Sequence, residues 1–208
     1  MGQCRIKAVL FDFGGVIAEE GFRNGLYRIA RANGLDEAAF AEKTRKIIHD
    51  TGYLTGKISE ESFWQALRSE TGIEGSDSYL RDIILEGFVL RDWMIKAIKW
   101  LKERGVRLAI LSDQTNWLDE IERRTPFFHL FEMVFNSHRI GKSKFDKSVF
   151  SDVLRIMELK PEDTLFVDDT EGHVERAREV GLNAIRFVGK DDFLARLRDF
   201  CPELPEEI

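Results

Sequence analysis

The chain is short of cysteine, of positive charge and of long apolar runs, and each shortage removes a class of protein. Its 208 residues include two cysteines, Cys4 and Cys201, near opposite ends. Two are too few for a disulfide framework, so none is expected, and a reducing cytoplasm is the natural setting. Lys and Arg number 31 against 37 Asp and Glu, a formal net charge of −6. That balance argues against nucleic acid or an anionic membrane as main partner, because both need a basic face. No apolar run reaches transmembrane length. Asp12 interrupts the only apolar run near the N-terminus, so no signal peptide is expected there. Met1-Gly2 opens like a myristoylation site, but Ile6 stands where Ser or Thr is needed. The four histidines, His49, His129, His138 and His173, lack ligand spacing and are expected to play surface or core roles. Internal repeats and low-complexity linkers are absent.

What is present is the composition of an ordinary folded protein, long enough for one domain with a substantial insertion. Residues 6–13 form a short apolar run stopped by Gly14-Gly15, the pattern of a buried parallel strand with a tight turn at its end. From about 18 to 90 the spacing becomes helical, over 26–33, 36–48, 60–69 and 77–88, with Ser59 as a cap. Tyr53 to Lys57 reads as a loop between two of these helices. Phe63, Trp64 and Trp100 sit at helical spacings as packing residues.

After residue 90 the pattern alternates. Helices over 92–104, 116–124, 146–158, 171–180 and 191–199 separate strands at 106–111, 133–135, 164–167 and 183–187. Such alternation implies an α/β fold, a Rossmann-like three-layer arrangement with a parallel sheet, and here with an inserted helical-bundle cap. The expected division is a core of 1–17 and 91–208 and a cap of 18–90.

Three strands end in polar or acidic residues: Asp12, Ser112-Asp113 and Asp168-Asp169. Open α/β sheets bind ligands beyond the carboxyl ends of their strands. Carboxylates gathered there repel one another unless a cation neutralises them, and hard oxygen ligands suit magnesium. Lys144, before a helix, can balance a phosphate or the nucleophile. Taken singly, Asp12 is a capping aspartate, Ser112 a turn residue and Lys144 a surface lysine. Together they describe phosphoryl transfer, in which a carboxylate attacks phosphorus while a metal and a lysine spread the charge.

The wording of these segments resembles the haloacid dehalogenase-like hydrolase superfamily. Val9-Leu10-Phe11-Asp12-Phe13-Gly14-Gly15-Val16 is similar to its first motif, and Ile110-Leu111-Ser112-Asp113 to its second. Gly141-Lys142-Ser143-Lys144 resembles the third. Thr164 to Asp169, followed by Glu175, Ala177 and Gly181, resembles the fourth. The resemblance implies Asp12 as nucleophile, Ser112 and Lys144 as phosphate-binding residues, and Asp12, the Gly14 carbonyl, Asp168 and Asp169 as Mg2+ ligands. It implies a magnesium-dependent phosphomonoester hydrolase that forms an aspartyl-phosphate on a small phosphorylated metabolite, a sugar phosphate among the candidates.

The chain departs from the family pattern at two places. Phe145 replaces the proline usual after the lysine. Gly14 replaces the aspartate that usually protonates the leaving group, which leaves Asp113, Asp168 or a cap residue as candidates for that task. Glu19 and Glu20 either face the cleft or lie in a solvated turn. Three other readings stay open. A metal-independent 2-haloacid dehalogenase would be indifferent to Gly14. A phospho-receiver domain gathers similar residues in another order, and a non-catalytic phosphate-binding protein could use the same fold. The oligomeric state is left open.

Overall fold

The computed structural model describes residues 4–206 and 208, so the Met1-Gly2 start lies outside the described residues. Five parallel strands form one sheet in the order β3-β2-β1-β4-β5. They are β1 (Ala8–Phe11), β2 (Arg107–Ser112), β3 (Met133–Asn136), β4 (Thr164–Asp168) and β5 (Asn183–Arg186). The apolar run that opens the chain is thus the central strand, and all four of its residues are buried. A strand covered on both faces needs no alternation of polar residues, which is why it reads as an unbroken apolar stretch.

Successive side chains on each strand point to opposite faces. Val9 and Phe11 on β1, with Leu108 and Ile110 on β2, join one cluster. It is covered by α5 (Asp92–Glu103), α6 (Trp117–Arg124) and α10 (Lys190–Phe200). Leu10, Ala109 and Phe166 point the other way, against Val149, Phe150 and Val153 of α8 (Ser148–Ile156) and Ala177 of α9 (Glu171–Glu179). The three layers expected from the alternation are present. A four-residue helix, α7 (Ser137–Ile140), follows β3 and is too short to leave a periodic signal.

Between β1 and α5 lie α1 (Gly21–Ala32), α2 (Glu37–Asp50), α3 (Glu60–Thr71) and α4 (Asp77–Leu85). Side-chain caps from Asp36, Ser59 and Ser76 start the last three, satisfying amides that have no partner within the helix. Gly25 lets α1 lie directly on α4, since a β-carbon there would stand 2.6 Å from the Ile84 Cα. The chain leaves and re-enters the sheet layer at adjacent points: Ala18 bridges Leu90, and Arg91 N donates to the Ile17 carbonyl at 3.0 Å.

One expectation is corrected here. Cys4 and Cys201 form a disulfide. Cysteine number says nothing about pairing when the two chain ends pack together, as Arg5 N does on the Phe200 carbonyl at 2.8 Å. The segment 53–57 connects α2 to α3, and it is a packed connection, with Tyr53 and Leu54 buried in a turn of 3-10 helix. Among the described residues, no helix is long and apolar enough to cross a membrane.

Candidate active site

The strand register sets the site. Phe11 pairs with Val167 on one side and with Ile110 on the other, so the residues just beyond bring Asp12, Asp168 and Ser112 together. Asp12 N donates to the Val167 carbonyl at 2.9 Å, continuing the ladder by one residue. The Asp12 carboxylate is fixed through Oδ1, which accepts from Phe13 N at 2.7 Å and from the Ser112 hydroxyl at 2.6 Å.

Lys144 is the least expected member, being completely buried. Its Nζ lies 2.9 Å from Asp12 Oδ2 and 2.6 Å from Asp168 Oδ2. Both oxygens of Asp113 accept from the Lys144 main-chain N–H, at 2.9 and 3.2 Å, which fixes the start of that lysine. Asp169 stands beside the turn at Gly15. That glycine has φ +80°, and a β-carbon on it would come within 2.5 Å of Asp169 Oδ2. Both the left-handed backbone and the close approach require glycine there.

Asp12, Asp168 and Asp169 each present a carboxylate oxygen within 4.8 Å of the others. One ammonium stands against three carboxylates in a largely buried space, an excess of acid over base. Burial is the main influence on Asp12 and pushes its carboxyl up to about 8 against the pull of Lys144, with the Asp168 charge adding to the rise. Burial also pushes on Asp168, but Lys144 and His173 outweigh it and hold that carboxyl well below the usual range. Asp169 is pushed up by burial and then by Asp168. Burial opposes the Lys144 charge, yet Asp12, Asp168 and Asp113 together hold its ammonium above its ordinary value. Three oxygen donors with unbalanced charge are the donor set of a hard divalent cation, so the residues fit magnesium.

A cavity of about 400 Å³ opens over these groups. Asp12, Gly14, Asp113, Lys144 and Asp169 line it from the sheet side, and Glu20, Phe22, Arg23, Arg45 and Leu54 from the helical block. The structure thus brings together every predicted site residue, while Ser112 and Asp168 lie beneath the surface.

Two histidines, one exposed and one buried, stand at the cavity. His173 places Nδ1 3.3 Å from Asp168 and, with His49, lines the cavity. Its position in the first turn of the helix after β4 was the available signal. Phe145, where the family has proline, stands edge-on to both rings, at 5.0 Å from His49 and 5.4 Å from His173, and so forms one wall.

A parallel sheet with acids gathered at its strand ends under a helical roof defines the class as an α/β protein with a candidate cation centre at the carboxyl ends of its strands. The particular family follows from comparison. The family model for haloacid dehalogenase-like hydrolase matches residues 6–181, and the chain belongs to that family.

Among solved structures, it superposes on a predicted HAD-like family hydrolase from Porphyromonas gingivalis with a TM-score of 0.78 at 23% identity, covering 96% of this chain and 99% of that one. A HAD family enzyme from Bacteroides thetaiotaomicron, in complex with magnesium and inorganic phosphate, gives 0.72 at 21% identity, covering 89% and 96%. L-2-haloacid dehalogenase from Xanthobacter autotrophicus with chloropropionic acid covalently bound gives 0.66 at 18%, covering 96% and 84%.

Among curated proteins, bifunctional epoxide hydrolase 2 of Sus scrofa is 24% identical over 92% of this chain, which spans only 38% of that protein's length. Flavin mononucleotide hydrolase 1 of Arabidopsis thaliana is 24% identical over 69% of this chain and 58% of its own.

Proposed function

We propose that this hydrolase is a magnesium-dependent phosphomonoesterase acting on a small phosphorylated metabolite through an aspartyl-phosphate on Asp12. The observation that carries the proposal is the Asp12 carboxylate, held by Ser112 and Lys144 and set beside the surplus negative charge of Asp168 and Asp169. Residues 1–17 and 91–208 are taken as the catalytic core and 18–90 as its cap. The magnesium and phosphate bound to the Bacteroides enzyme, and the flavin mononucleotide hydrolase among the relatives, support the same chemistry.

In this reading Asp12 attacks phosphorus from the sheet side. Ser112 and Phe13 N hold one of its oxygens, so the carboxylate meets its target without reorganising. The Lys144 ammonium binds phosphoryl oxygens, and the Ser112 hydroxyl joins it by turning its one proton from Asp12 to the arriving phosphoryl group while Phe13 N keeps its hold on the carboxylate. Asp12, Asp168, Asp169 and the Gly14 carbonyl would hold Mg2+, which when bound supplies charge neutralisation at the phosphoryl group. Arg23 and Arg45 line the cap side of the cavity and form no ion pair among the described residues, which favours an anionic substrate. A cytoplasmic setting, argued from the scarcity of cysteine, has to accommodate a bond between Cys4 and Cys201 that withstands cytosolic reductants.

The fold likeness to a dehalogenase is compatible with attack by Asp12 on carbon, but Asp168 and Asp169 would then leave an uncompensated charge. The deciding experiment is a screen of sugar phosphates, nucleotides and aryl phosphates with and without magnesium, with halide release from 2-haloacids alongside. Asp12→Asn should reduce phosphate release to background while circular dichroism stays unchanged. Phosphate release that survives the substitution, or survives chelation, would refute the assignment.

A further inference from the structure

Attack and departure at phosphorus are in line, so the leaving oxygen faces away from Asp12, toward the cap. A group that protonates it must stand there, and Gly14 has no side chain to do so. The surroundings of Gly14 show what does. A β-carbon built on it would meet the Phe88 ring at 3.2 Å, Gln114 Nε2 at 3.3 Å and Glu20 Oε2 at 4.0 Å. The space that a side chain at 14 would enter is therefore already faced by a carboxylate.

Glu20 is the residue that starts α1. Its Oε1 accepts from Arg23 N at 3.0 Å, which caps the helix and fixes the side chain. Oε2 takes no hydrogen bond from the described residues and faces the cavity that Asp12 also lines. The acids at the strand ends are occupied. Both oxygens of Asp113 are bound to the Lys144 N–H. Asp168 is buried between Lys144 and His173, and Asp169 belongs to the acidic cluster. Gln114 is an amide and cannot transfer a proton.

We propose that Glu20 is the general acid and base of the reaction, supplied by the first turn of the cap in place of the side chain missing at Gly14. The inference rests on the phosphatase reading above. As Asp12 Oδ bonds to phosphorus, the ester P–O bond breaks and its electron pair goes to the leaving oxygen, which takes the proton of the Glu20 carboxyl and departs as an alcohol. The Glu20 carboxylate then takes a proton from water as the water oxygen bonds to phosphorus. The P–O bond to Asp12 breaks, and Asp12 and Glu20 return to their starting forms.

The test is kcat/KM with magnesium across phosphates from p-nitrophenyl to simple primary alkyl. Wild type should show a shallow dependence on leaving-group basicity. Glu20→Gln keeps an oxygen for the helix cap but loses the proton. It should lose about 10²–10⁴-fold on alkyl phosphates and less than about tenfold on p-nitrophenyl phosphate, which needs no acid. Adding Gly14→Asp to that variant should restore part of the alkyl rate, since the backbone there is not left-handed and a shift of a few tenths of an ångström by the Phe88 ring and the Gln114 amide admits the β-carbon. Equal loss on both substrates, or no loss on either, would overturn the role of Glu20. If the double variant does not fold, the ratio in Glu20→Gln alone decides. Wild type inert toward every phosphate would instead overturn the phosphatase reading.

Discussion

Replacing Lys144 by methionine removes a charge while keeping most of the stem. Lys144 is completely buried and, among the described residues, is the one ammonium within 3 Å of both Asp12 and Asp168, at 2.9 and 2.6 Å. Without magnesium the variant leaves the three clustered carboxylates without their ammonium. Breaking a buried pair by removing one partner costs about 3–5 kcal/mol. In a chain of this size each kcal/mol moves Tm by roughly 2–4 °C, so a fall of roughly 6–20 °C follows.

Magnesium should then stabilise the variant more than the wild type, because the dication takes over the neutralising role of the missing ammonium. At a hundred times its Kd a ligand returns about 2.7 kcal/mol. The assay is thermal melting in chelator and over a magnesium titration. Lys142→Met serves as control: Lys142 pairs with Asp152 at the surface, and such pairs are worth about 1 kcal/mol at most. If Lys144→Met melts within about 2 °C of wild type in chelator, or gains no more from magnesium, the charge argument fails.

Two further outcomes follow from the same geometry. Gly15→Ala should cost about 1–3 kcal/mol for its left-handed backbone and weaken magnesium binding as Asp169 is displaced. Magnesium-dependent melting checks this, and an unchanged affinity would contradict it. The Cys4–Cys201 bond closes a loop with a sequence separation of 197, so chain entropy assigns it about 5 kcal/mol at most. Complete reduction, verified by mass, should lower Tm by up to roughly 10–20 °C; no change would mean that the ends hold together without it.

The sheet and the acidic centre were legible because parallel strands buried on both faces are written as apolar runs that end abruptly in polar residues. Asp12, Ser112 and Asp168 each mark such an end. Lys144 was visible only through its neighbours in order, since nothing local to Gly141–Ser143 signals complete burial. His173 and His49 were not legible as cavity residues, because their positions depend on how α2 and α9 approach across Phe145. The disulfide was hidden for a similar reason: it depends on where two chain ends meet, which composition does not encode. Glu20 has two readings in the sequence, cleft or solvated turn, and only its approach to Gly14 across the fold separates them.

The helical block is better described as a seated roof than as a loose lid, and this can be tested. One hydrophobic cluster runs without a break from Leu26, Phe40 and Trp64 in the block to Val9, Phe11 and Ile110 in the sheet. Trp117 on α6 stands at the junction, with ring centroids 5.8 Å from Tyr53, 6.1 Å from Phe63 and 5.6 Å from Trp64. Polar bonds tie the same seam. Tyr53 OH donates to Asn116 Oδ1 at 2.6 Å, Asn116 Nδ2 to Glu60 Oε2 at 3.0 Å, and the Ser137 hydroxyl to the Leu54 carbonyl at 2.9 Å. Opening the block would expose this seam to water and break those bonds together, so local opening of α2 and α3 should require most of the global unfolding energy. Hydrogen exchange should therefore give their interior amides protection close to that of β1 and β4. Trp117→Ala costs about 3–5 kcal/mol of packing and should lower protection in α2 and α3 more than in the sheet, while raising KM for substrates that fill the cleft. Amides of α2 and α3 that exchange orders of magnitude faster than those of β1 in the wild type would show that the block opens on its own, and the roof description would fall.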